Sequence, residues 1–126
     1  MRWLLVRGRG EHPLEPEVQR DRIRAHSSTR RPSVQLGDSA ILYAAVWRVV
    51  FGVVDVVSHP ENDPSSSRWA WRFAIEPREV LADLREAPPV EAAGVMPSSL
   101  GRHSYIRLTE EQFAAARGLI ERAARE

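Results

Sequence analysis

Apolar residues are densest between positions 40 and 57, where two runs, 40–44 and 49–57, are separated by a break at Val46-Trp47-Arg48. Only Gly52 and Asp55 interrupt the second run. β-Branched residues at this density predict strands, not helices. A run that is apolar on both faces predicts a strand covered on both sides, as in a small barrel. Gly37-Asp38 supplies the turn chemistry that opens this hairpin. Gly37 reads as a turn residue and Gly52 as a close strand contact.

The rest of the chain arranges around the hairpin. Residues 3–6 predict a first strand, stopped by Gly8 and Gly10. Pro13 and Pro16 mark a loop. Residues 17–26 carry helix formers and predict a short helix, and 26–33 a basic loop. Residues 59–67 are polar and rich in Pro and Ser, which predicts a long loop. Period-two alternation over 68–75 puts Trp69, Trp71, Phe73 and Ile75 on one side of a strand. Glu76-Pro77 should end that strand, with Pro77 opening a helix that runs to about residue 86. Residues 103–108 predict the last strand. Thr109 and Gln112 then form a capping box, and Leu108 and Phe113 are spaced for a hydrophobic staple. Phe113, Ala116, Ile120 and Ala123 make one helical stripe. The sum is a single domain over 1–126: an α+β fold, a small mixed β-barrel of five or six strands flanked by two or three helices.

Charge and composition narrow the function classes. The 126 residues carry a formal net charge of +1, so no overall field demands a polyanionic partner. All eighteen basic side chains are arginine, which removes lysine chemistry and supplies planar bidentate donors. There is no cysteine, hence no disulfide or thiolate metal site. His12, His26, His59 and His103 are dispersed without ligand spacing, so no metal and no cofactor is expected. No stretch is long and apolar enough to span a membrane, and a cytoplasmic location is the expectation.

Several motifs occur in a characteristic order: Gly37-Asp38, an aliphatic strand ending in Tyr43, then Gly52-Val53-Val54-Asp55-Val56-Val57-Ser58-His59-Pro60. Arg68-Trp69-Ala70-Trp71-Arg72-Phe73 follows, and then His103-Ser104-Tyr105-Ile106-Arg107-Leu108. Over roughly residues 37–120 this order resembles the EVE branch of the PUA-like superfamily, which is related to YTH and ASCH domains. The resemblance implies a barrel with a pocket at one end that takes a modified base between aromatic walls. It places Trp69, Ser58, His103 and Ser104 at that mouth. EVE proteins commonly carry a Trp and an Arg-Asn pair before the Gly-Asp turn. Here Arg30-Arg31-Pro32-Ser33 stands there, so one wall is missing or comes from Trp47. Trp3 and Trp71 read as core residues. Arg30, Arg31, Arg68, Arg72 and Arg102 fall near the loops around the mouth and could form a phosphate rim.

The leading expectation is a non-catalytic module that reads a base, such as methylated cytosine or adenine, in DNA or RNA. The resemblance also implies a separate nuclease or modification enzyme as partner. A second reading is an ASCH-like small hydrolase acting on RNA or a modified nucleoside. The amidohydrolases of that branch use a catalytic lysine, absent here, and Asp38, Asp55, Glu76 and His103 form no recognisable constellation. A third reading is an interaction domain without a nucleic-acid ligand.

Overall fold

The fold was analysed in a computed structural model, which describes residues 1–8, 13–63, 65, 70–100 and 103–126. Among the described residues seven strands occur in chain order: β1 (Arg2–Arg7), β2 (Ala25–Ser28), β3 (Ser39–Ala44), β4 (Val49–Val56), β5 (Glu61–Asn62), β6 (Trp71–Val80) and β7 (Tyr105–Leu108). One α-helix, α1 (Glu110–Ala124), ends the chain. The strands order as β2-β6-β4-β3-β1-β7, with β5 added beside β6. β1 and β3 run parallel and the other pairs antiparallel, so the sheet is mixed. It curls into a half-barrel.

The β3–β4 hairpin is the spine, as its apolar density predicts. Ala40 to Ala44 are all buried, and so are most of Val50 to Val56. The break at 45–48 is a tight turn in which Arg48 takes a φ of 59°. β1 lies between β3 and β7, which explains its four consecutive buried residues. The helix α1 covers the sheet with Phe113, Ala116 and Ile120. Its start matches the sequence reading: the Thr109 hydroxyl accepts from the Gln112 amide at 3.0 Å, and the Gln112 side chain accepts from the Thr109 amide at 3.0 Å.

Several sequence expectations are corrected. The helix expected over 17–26 is a single 3₁₀ turn at Arg20–Arg22, followed by β2, which also takes part of the expected 26–33 loop. The helix expected from Pro77 to 86 is absent. β6 runs on through Pro77 to Val80, and only a 3₁₀ turn at Leu84–Glu86 follows. Pro77 is tolerated because it pairs with Val54 beside a bulge between Val53 and Val54, where a missing ladder N–H costs little. The helix count is therefore one among the described residues, not two or three. The expected long loop 59–67 also contributes the short strand β5.

Candidate functional site

The two edge strands of the curled sheet meet at one seam. Ser104, just before β7, offers its carbonyl there. It accepts from the Val6 amide at 2.9 Å and contacts His26 Nε2, on β2, at 2.8 Å. A carbonyl only accepts, so Nε2 carries a proton and Nδ1 is left as an acceptor. Arg7 Nη1 faces that Nδ1 at 3.5 Å and donates to the Ala25 carbonyl at 2.9 Å. The imidazole lies tilted against Phe73, with centroids 5.7 Å apart. The His26 side chain thus ties β2 to the segment just before β7.

Further along β2, Ser28 pairs across to Trp71 at the start of β6. Ser28 is buried, and its hydroxyl donates to the Arg30 carbonyl at 2.6 Å, which sets the path of the basic segment. The Arg31 guanidinium then lies over the Trp71 ring, 5.6 Å from its centroid. Trp71 is half-buried and stands apart from the contiguous core that holds Phe73 and Ile75. This corrects the reading of Trp71 as a core residue. Its place in the first half of the alternating stretch, shortly after the polar 59–67 segment, was the available signal. A half-open indole topped by a guanidinium is a stacking platform for a planar group.

The structure divides the predicted site residues. Ser104 lies at the seam, with His103 exposed beside it in sequence, whereas Arg31 lies over Trp71 beyond the end of β2. Arg30, beside Arg31 in sequence, is exposed. Trp47 sits in the β3–β4 turn, where its indole N–H donates to the Leu14 carbonyl at 2.8 Å, so it anchors the 13–16 segment. Ser58 and Arg72 line an outer groove together with Glu61 and Asp63. The Ser58 hydroxyl accepts from the Ala74 amide at 2.8 Å. Arg72 alternates with Trp71 on β6 and pairs with Glu61 on β5, away from the stacked ring. Trp69, Arg68 and Arg102 lie outside the described residues. The expected core position of Trp3 holds: it is 5% exposed, with Tyr105 edge-on to it at 5.6 Å. Asp55 pairs with Arg78.

Among the described residues no group of His, Asp and Glu could hold a metal ion. No helix among them is long and apolar enough to cross a membrane.

No family model matches the sequence, and no curated protein matches it. Solved structures share the fold, among them two bacterial proteins. The NMR structure of Rpa0253 from Rhodopseudomonas palustris superposes with a TM-score of 0.59 at 14% identity, over 98% of this chain and 92% of that one. The crystal structure of Atu2648 from Agrobacterium tumefaciens gives 0.54 at 16% identity, over 94% of each chain. Both were structural-genomics targets, and at these identities the likeness establishes the architecture alone. The chain therefore shares its α+β half-barrel with two bacterial proteins of nearly the same extent.

Proposed function

We propose that this protein is an EVE-like member of the PUA-like superfamily that binds DNA or RNA and reads one base, carrying a modification, at the Trp71 ring. The observation that carries this reading is the Trp71 ring, half-buried at the start of β6 opposite the end of β2 and covered by the Arg31 guanidinium. The base stacks on Trp71; Trp69, which the EVE resemblance assigns to the same pocket, lies outside the described residues. Arg31 and Arg30 meet the flanking phosphates, and His103 with Ser104 contributes polar groups at the base edge. The order of the sequence motifs supports the same assignment. Chemistry on the nucleic acid belongs to a separate nuclease or modification enzyme.

Truncating the platform tests this. Trp71→Ala should weaken binding of a labelled single-stranded oligonucleotide by about 1–3 kcal/mol, the stacking contribution of one base. That is roughly 5- to 150-fold in Kd. The far-UV circular dichroism should not change, because Trp71 stands outside the core. Arg31→Ala should also reduce the salt slope of binding by about one. Unchanged affinity in a folded Trp71→Ala protein would remove the stacking platform from the account.

A further inference from the structure

A second concavity opens on the other side of Arg7. It is a cleft of about 370 Å³ between the end of β1 and residues 14–23. Leu14, Val18, Ile23 and Phe51 form its apolar walls. Leu14 is fixed from two directions. Trp47 holds its carbonyl, and Gly8, at a φ of +75°, lets it approach so closely that a Cβ there would lie 2.8 Å from Leu14 Cγ. The wall is thus built in, and its volume is within the usual range for small-molecule sites.

Arg7 is the unusual member of this lining. Arg7 is half-buried, and burial pulls its pKa below the ordinary value. Among the described residues it forms no ion pair. Nη1 is engaged by Ala25 and His26, while Nε and Nη2 donate to no described residue. No fully buried side-chain nitrogen or oxygen is left without a partner among the described residues, so these two donors are accessible, and Arg7 lines the cleft. A half-buried cation without a counter-charge is a ready partner for an anion that completes it. Its free fork matches a carboxylate.

From this we infer that the cleft binds a small organic monoanion: a carboxylate on the Arg7 fork, with a flat apolar body against Leu14, Val18, Ile23 and Phe51. Arg22 adds a second positive charge to the lining, while Glu15 and Glu17 add two negative ones. That balance favours a single carboxylate over a doubly charged phosphate. The site is independent of the nucleic-acid reading, since the two use different side chains.

Sodium benzoate titrated into ¹⁵N-labelled protein at constant ionic strength tests the inference. Benzamide serves as neutral isostere and inorganic phosphate as an anion without an apolar body. Benzoate should shift the resonances of Arg7, Leu14, Val18 and Ile23 saturably. Benzamide and phosphate should bind at least about tenfold more weakly, as should benzoate to Arg7→Gln, for loss of a charge-assisted bidentate pair. Val18→Trp, which fills the cleft and leaves Arg7 in place, should abolish the shifts and carries the test if Arg7→Gln does not fold. Absence of saturable shifts in the native protein, equal binding of benzamide or phosphate, or benzoate binding that survives Val18→Trp would overturn it.

Discussion

Replacing Gly52 by valine should cost about 3 kcal/mol and lower Tm by roughly 10 °C, although valine is the better strand former. Gly52 sits inside β4, opposite Leu42 on β3 and Val80 on β6. A Cβ at this position would lie 2.8 Å from Leu42 Cδ1, 3.3 Å from Leu42 Cγ and 3.4 Å from the Glu79 carbonyl oxygen. Leu42 is fully buried, so its side chain has no room to swing away. Strand propensity spans only about 1 kcal/mol, and overpacking a fixed neighbour outweighs it. Thermal unfolding measures the loss. A double-mutant cycle tests its cause: Leu42→Ala should cost clearly less in the Gly52→Val background than in the native one. A Gly52→Val protein with native Tm, or additive losses in the cycle, would mean that the crowding is not where the geometry puts it.

Asp38→Ala should be comparably damaging, by about 2–3 kcal/mol, because it strands the buried Trp3 donor and removes the anchor of two further donors. The Trp3 indole N–H donates to Asp38 Oδ2 at 2.8 Å and the Gln35 amide to the same oxygen at 3.0 Å. The Met1 amino group lies 3.1 Å from Oδ1. Trp3 is 5% exposed, so its N–H finds little water once the carboxylate is gone. Burial pushes the Asp38 carboxyl up, but the bond from Trp3, then that from Gln35, and the terminal ammonium outweigh it and hold the group below the ordinary carboxylate range. The sign follows from that direction. A depressed folded value means that the Asp38 contribution is complete above the unfolded value of about 3.9 and is lost as pH falls through the folded one. Stability of the native protein should therefore drop with acid below about pH 4, and Asp38→Ala should flatten that part of the profile. Equal acid dependence in the two proteins would show that the carboxylate is not the titrating anchor.

Much of the fold was legible because hydropathy and local chemistry agreed there. The β3–β4 spine, β1 and the capped α1 each rest on apolar burial or on a complete cap. β2 was not legible because its inward positions are His26 and Ser28, which are buried yet polar and satisfied by hydrogen bonds. Hydropathy patterns read such a strand as a loop. The far half of β6 was misread because Pro77 ahead of Val80, Leu81 and Leu84 imitates a helix start with a helical stripe. Only the pairing with β4, which places Pro77 at a bulge, reveals the strand. The site was legible in part. Arg31, His103 and Ser104 were singled out in sequence, but the role of Trp71 was masked by its phase with Phe73 and Ile75. The split between Trp71 and Arg72 follows from strand alternation, yet which face closed the seam depended on β2, the strand that hydropathy concealed. Arg7 gave no signal at all, since one arginine at the end of a strand looks like any solvated charge.

The central claim is that the protein reads a base. The most direct measurement is fluorescence-detected binding of short labelled DNA and RNA oligonucleotides of one sequence at low and moderate salt. The set contains unmodified, 5-methylcytosine, 5-hydroxymethylcytosine and N6-methyladenine versions. The account predicts a preference for one modified version that persists as salt rises, because phosphate contacts are salt-sensitive and blind to the modification. Binding that is equal across the set and vanishes with salt, or no binding to any member, would contradict it.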